Sequence, residues 1–251
     1  MKKYIAQILS LILLASCQTN KDDDKVIEPR SAYKNGLELF KKGSYKEASD
    51  EFGRVYFQHP GNAITPFAEL MEAYSLYNAG LYEDSIDVLD NFLLIHPAHP
   101  DVSYAMYLKG MNYYMQINDV HHDQNITKKA KESFEELINR FPGTKYALDA
   151  KLKLDLVNDH LAGKEIYIGR YYQKKKTPIG AVNRFQYLIK DYQTTSYTPE
   201  ALYRLVESFA ILGLYDDANK YAAVLGYNYP DSKWYQYAKN ILKQNREKNG
   251  I

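Results

Sequence analysis

Five segments of this 251-residue chain repeat one spacing of residue types, and that periodicity restricts the fold more than any other feature. Counted from Gly43, an aromatic stands at +2 (Tyr45), a small residue at +5 (Ala48), apolar residues at +9 and +12 (Phe52, Val55) and a proline at +17 (Pro60). From Gly80 the same offsets give Tyr82, Ser85, Leu89, Phe92 and Pro97. From Asn125 they give Ala130, Phe134, Leu137 and Pro142. Lys176 starts a fourth series, Ala181, Phe185 and Leu188, with Gln193 where proline stands elsewhere, and Gly213 a fifth, Tyr215, Ala218, Ala222, Leu225 and Pro230. Residues at +5, +9 and +12 share one face of an α-helix. The glycine can turn the chain at positive φ, and the proline cannot continue a helix. Each segment therefore predicts a helix that begins just after the anchor and stops before +17.

The unit resembles the tetratricopeptide repeat, in which two helices and a turn recur about every 34 residues. Its small, aromatic and proline positions match Ala48, Phe52 and Pro60, and its first-helix small and aromatic positions match Gly36, Gly110 and Tyr113. The expected fold is all-α: a tetratricopeptide-repeat α-solenoid of about five helix-turn-helix units plus a C-terminal capping helix. Within a body of residues 29–251 the units span 30–60, 65–97, 101–142, 145–193 and 198–230, and the cap lies in 231–246. First helices are expected at 30–42, 65–79, 101–116, 145–175 and 198–212, second helices at 44–58, 81–95, 126–141, 177–191 and 214–228. Two anchor spacings, 45 and 51 residues against 37 elsewhere, mark departures. One is an insertion around Asn118 to Gln124; the other is a long first helix in unit four, or a helix broken near Gly163. The 25 tyrosines suit a helical protein rich in amphipathic aromatics.

The start of the chain reads as a targeting segment. Lys2 and Lys3 precede an apolar run from Ile5 to Ala15, too short for the roughly 20 residues that span a bilayer. It ends in Leu14-Ala15-Ser16-Cys17, which resembles the lipobox of bacterial lipoprotein precursors. Residues 1–16 are thus expected to be a signal peptide, with Cys17 the lipidation site. Cys17 is the only cysteine, so no intramolecular disulfide can form. The resemblance implies several acyl chains on Cys17, which stable anchoring needs. Residues 17–28, with Lys21-Asp22-Asp23-Asp24-Lys25, lack the apolar surface to order themselves and read as a tether. By the bacterial sorting convention, Gln18 rather than Asp after the cysteine favours the outer membrane.

The fourth unit is the most distinctive. It runs Asn158-Asp159-His160-Leu161-Ala162-Gly163-Lys164-Glu165-Ile166-Tyr167-Ile168-Gly169-Arg170-Tyr171-Tyr172, then Ala181-Val182-Asn183-Arg184-Phe185-Gln186. These stretches, with Asn139-Arg140-Phe141-Pro142 and Tyr146-Ala147, resemble the BamD family, tetratricopeptide lipoproteins of the outer-membrane β-barrel assembly machinery. The resemblance covers nearly the whole mature chain. It implies a non-enzymatic adaptor, lipid-anchored at the outer membrane and facing the periplasm, present as one copy in a hetero-complex. Its partners would be a BamA-like insertase, met through that protein's periplasmic domains, and unfolded β-barrel proteins. By motif, the insertase contact falls on Glu165, Arg170, Tyr171, Tyr172, Asn183 and Arg184. Arginine suits such a contact because its fork clamps carboxylates or carbonyls with two bonds. Tyr171 and Tyr172 could equally pack between helices, and Arg184 could pair with a neighbouring acid. Tyr33, Tyr74, Tyr77, Tyr104 and Tyr107 lie on the early first helices and form the candidate substrate groove, some of them core. Tyrosines can take aromatic rings and still hydrogen-bond a peptide.

Other signals carry little. His96 and His99 flank Pro97 without a third metal ligand at a recognisable spacing, and His121-His122-Asp123 lies in the insertion. No nucleophile elbow, phosphate loop or dinucleotide-binding glycine run occurs, so no catalytic residue, metal or cofactor is expected. A net charge of +1 gives no electrostatic case for nucleic acid. The alternatives are another envelope scaffold, for cell-wall enzymes, and a surface binder of glycans suggested only by the acidic run after Cys17.

Overall fold

The computed structural model of the protein describes residues 26–249; the signal segment, Cys17 and nearly all of the tether lie outside the described residues. Eleven helices account for almost all of what is described, with no strand among the described residues. They are α1 (Pro29–Lys41), α2 (Tyr45–Gln58), α3 (Thr65–Asn78), α4 (Tyr82–Ile95), α5 (Val102–Met115), α6 (Asn125–Arg140), α7 (Lys145–Lys174), α8 (Pro178–Asp191), α9 (Thr198–Ile211), α10 (Tyr215–Asn228) and α11 (Lys233–Asn249). The chain divides into two compact units, residues up to Ser75 and residues from Leu76 on.

The repeat template is a burial template. All fifteen side chains at +5, +9 and +12 are buried; Ala222, at 5%, is the most exposed of them. The turn chemistry holds as well. Gly43, Gly80 and Gly213 have φ of 80°, 75° and 75°, and Lys176, the fourth anchor, takes φ 56° without being a glycine. The second helices of all five series end alike, at a residue with φ between −119° and −140° whose amide still bonds four residues back: His59, His96, Phe141, Tyr192 and Tyr229. A following proline disfavours the helical alternative to this backbone, whose ψ lies between 43° and 56°. Tyr192 adopts it before Gln193, helped by Thr195 and Thr198, whose hydroxyls donate to its carbonyl at 2.8 and 3.1 Å.

In the first unit α1 packs on α2. Glu28 caps α1 by accepting from the Ser31 amide at 2.7 Å, and Pro29 opens the first turn. Gly36 lies under the Phe52 ring: a Cβ there would sit 2.7 Å from Cε1. The lead-in to α1 is clasped to the end of α2. The Ile27 amide donates to Gln58 Oε1 at 3.0 Å, and His59 Nε2 donates to the Ile27 carbonyl at 2.7 Å. On α3, Glu72 faces the glycine gap of α2: a Cβ at Gly53 would lie 2.9 Å from its Oε1. Burial, then Glu69 and Asp50, push its carboxyl up to about 7, against a lowering by Lys46.

In the second unit each helix from α4 to α10 packs on the next, and α11 covers α9 and α10. The close approach seen at Gly36 recurs where Gly110 meets Phe134 and Gly169 meets Phe185, with Cβ-to-ring distances of 2.6 and 2.2 Å for an added methyl. Three first helices thus leave room for the +9 phenylalanine of the second. The open question in the long unit resolves to one unbroken helix of 30 residues, α7. Thr144 caps it by accepting from the Ala147 amide at 3.2 Å. Gly163 does not break it; the missing side chain makes space, since a Cβ there would lie 3.2 Å from Val120 Cγ1 and 3.3 Å from the Tyr197 hydroxyl. The cap helix, expected within 231–246, extends to Asn249.

Candidate partner-binding site

The six residues expected to meet a partner all lie on the C-terminal half of α7 and the first turns of α8. Arg184 Nη1 donates to Glu165 Oε2 at 3.2 Å; the arginine side chain is 42% exposed and the glutamate 14%. The alternative of a neighbouring acid for Arg184 is therefore realised, yet much of its guanidinium still faces outward. Asn183 beside it is exposed.

Arg170 is committed to a neighbouring helix, although its side chain is 47% exposed. Its Nε donates to Glu200 Oε1 at 2.8 Å and its Nη2 pairs with Glu200 Oε2, so a two-bond fork ties α7 to α9. Glu200 is buried, and Arg204 Nε reaches its Oε1 at 3.3 Å. Arg204 also bonds Glu207 at 3.0 Å and stacks against Tyr203 and Trp234, linking this network to α11. Gln173 extends it by donating to Glu207 Oε2 at 2.8 Å and to the Ser208 hydroxyl at 3.1 Å. Burying a carboxyl group is costly unless it is hydrogen-bonded, and these donors supply its bonds. Tyr172 is half-buried against Gly180, where an added Cβ would lie 3.1 Å from its ring. Tyr171 is half exposed and meets Tyr172 edge-on at 5.9 Å, with Lys175 over its ring at 5.7 Å. One of the two tyrosines thus packs between helices while the other offers a face to solvent.

The insertion completes the surface. Between α5 and α6 the chain turns back onto α7, where Lys164 Nζ donates to the carbonyls of His121 and His122 at 3.0 and 3.1 Å. The His121 ring meets exposed Tyr167 edge-on at 4.3 Å. This loop, α6, α7 and α8 line a half-open cavity of about 280 Å³, with Lys128, Lys164, His122, Glu165 and Tyr187 on its wall. The Arg184–Glu165 pair sits at its edge. The region can accept a shaped protrusion bearing polar groups. Among the described residues no group of three or more His, Cys, Asp or Glu could hold a metal ion.

The tyrosines of the candidate groove are all half-buried, each against another ring. In the first unit Tyr33 meets Phe52 edge-on at 5.4 Å and Tyr74 stacks on Phe40 at 5.3 Å. In the second, Tyr77 lies 5.9 Å from Tyr82, while Tyr104 and Tyr107 converge on Tyr146 of α7 at 5.4 and 5.5 Å. Tyr107 donates to Asp149 Oδ2 at 2.6 Å, and burial together with that carboxylate raises its pKa strongly. Sequence spacing missed Tyr146 and Asp149 because they belong to the next unit's first helix. It missed Glu200 and Arg204 because contacts between units carry no fixed offset.

Known proteins match this chain over nearly its whole length. Residues 25–225 fit the YfiO family model, described as outer membrane lipoprotein. The outer membrane protein assembly factor BamD of Rickettsia prowazekii is 53% identical over 243 residues, 96% of this chain and 97% of that protein. The factor of the same name from Caulobacter vibrioides is 40% identical over 245 residues, 96% of this chain and 80% of its own. That of Neisseria meningitidis serogroup A is 28% identical over 254 residues, 95% of each.

Proposed function

The chain belongs to the BamD family of outer membrane protein assembly factors, and from that premise we propose that it works as a non-catalytic adaptor, holding unfolded β-barrel proteins beside a BamA-like insertase. The observation that carries this reading is the identity to assembly factors across 96% of the chain. In this reading lipid on Cys17 keeps the protein at the periplasmic face of the outer membrane. No helix among the described residues is long and apolar enough to cross a membrane, so attachment would rest on that lipid.

The insertase would dock on α7 and α8. Asn183, Arg184 and the open face of Tyr171 offer the contact, Glu165 orients Arg184, Tyr172 packs α7 against α8, and Arg170 ties α7 to α9. A preformed surface of this kind loses little freedom on binding, because its side chains are already fixed by neighbours. The half-buried tyrosines of the early helices offer rings and hydroxyls to the C-terminal segment of a barrel substrate, whose apolar side chains alternate.

The test is isolation of the protein from membranes in mild detergent, with identification of what accompanies it. The expected result is a large β-barrel protein with periplasmic domains, recovered at least tenfold less with Arg184→Glu. Cell-wall enzymes in its place, or recovery indifferent to the reversal, would refute the assembly reading or the docking site respectively. For the substrate face, Tyr107→Ala is expected to weaken binding of a barrel-derived C-terminal peptide while leaving insertase recovery intact.

A further inference from the structure

The turn between α7 and α8 carries a block of charge that the fold leaves unbalanced. From Ile166 to Lys190 the chain has six cations and no acid. Arg170 and Arg184 are matched by Glu200 and Glu165. Lys174, Lys175 and Lys176 are not. All three are exposed, Lys175 lies over the Tyr171 ring, and no carboxylate among the described residues pairs with any of them. Glu207, which Gln173 reaches on α9, is already bonded to Arg204.

Two further observations set this turn apart from a solvated run of lysines. Lys176 occupies the anchor that is glycine in three other series, and it holds φ 56° with a Cβ in place. Strain of this kind points to a use for the side chain that glycine lacks. The turn also sets apolar surface beside the charge: Ile179 is 66% exposed and Tyr171 50%. Its shape is fixed, because the amides of Lys175, Lys176 and Thr177 donate to the carbonyls of Tyr171, Gln173 and Tyr172 at 3.0, 2.9 and 3.0 Å.

We propose that this turn is a membrane contact, in which Lys174, Lys175 and Lys176 meet anionic lipid headgroups and Ile179 enters the bilayer interface between them. Lysine stems lie along apolar surface while their ammonium groups stay with the phosphates, and a tyrosine ring such as Tyr171 favours the same depth. The combination decides between occupants. An acidic protein surface satisfies the lysines and leaves Ile179 in water, whereas an anionic bilayer takes both. Three lysines make a weak contact, each contributing about fivefold in affinity. Such a contact gains where the chain is already held at a bilayer, as the Cys17 lipid proposed above would hold it. The lipid alone does not orient the body. The turn does, and it brings Asn183 and Arg184, about one helical turn beyond Ile179, close to the surface in which an insertase sits.

The test reads the turn itself. In the full chain with Cys17→Ser, Thr177→Cys supplies a single thiol for an environment-sensitive fluorophore. Titration with mixed phosphatidylglycerol and phosphatidylcholine vesicles is expected to shift its emission to the blue. Vesicles of phosphatidylcholine alone, or about 0.5 M salt, should weaken the response at least tenfold. Lys174→Gln, Lys175→Gln and Lys176→Gln together should weaken it about a hundredfold. Lys176→Gly should weaken it about fivefold while raising the melting midpoint, a loss that unfolding cannot explain. Emission indifferent to lipid charge overturns the proposal, as does a response that survives replacement of the three lysines. It is equally overturned if the label stays in water beside vesicles while the same replacements, in the anchored chain, reduce insertase recovery; the lysines would then belong to an acidic surface of that protein.

Discussion

Lys176 shows what a single residue reveals about the template. It stands where Gly43, Gly80 and Gly213 stand in their series and takes the same left-handed turn at the cost of a Cβ clash. Lys176→Gly should therefore raise stability by up to about 1 kcal/mol, visible as a higher midpoint in thermal or urea melts. The opposite change is expected at Gly169, where a Cβ would enter the Phe185 ring at 2.2 Å. Gly169→Ala should cost about 1–3 kcal/mol by overpacking and, by displacing α8, also reduce recovery of the insertase. The fifteen core positions were legible in the sequence because a helix face has a fixed period. The carbonyl grip of Lys164 on His121 and His122 was not: it joins residues more than forty apart through a loop that obeys no period.

Among the elements, α7 separates what spacing can tell from what it cannot. Its length could be inferred from the 51-residue anchor step, but whether Gly163 broke it could not, because glycine both loosens a helix and admits close neighbours. The neighbours decide the matter: Val120 and Tyr197 fill the space that glycine leaves. The insertion stood in the sequence only as a departure from the repeat spacing, and it forms a wall of the candidate site. Lys164→Ala should free it. Amide exchange at His121 to Asn125 is expected to quicken markedly while the melting midpoint hardly moves, since the lysine is near the surface and the core is untouched. The proposed docking residues were chosen by motif, and their division of labour was not visible in it. Arg170 is spent on Glu200 of α9, and only the packed helices show that.

At the scale of the whole molecule, the repeat decided the all-helical fold, and the contacts between repeats individualise it. One such contact makes stability depend on pH. Glu72 holds its proton up to about pH 7 in the folded chain, against an ordinary value of 4.5. The native state thus binds that proton more tightly than the unfolded chain, so stability falls as pH rises from about 4.5 through 7, by on the order of 3 kcal/mol. Glu72→Gln should flatten that slope, raising the midpoint at pH 8 and leaving it nearly unchanged at pH 5. The clasp at the chain's entrance carries a different consequence. With Cys17 as the proposed anchor, tension between membrane and cargo enters the protein at its N-terminal lead-in. The two bonds that hold Ile27 to Gln58 and His59 are then the first to bear load, before any helix is pulled. A body fastened by its first pair of helices behaves mechanically like a latch, and in single-molecule pulling His59→Ala should lower the force of the earliest rupture while leaving the later ones where they were.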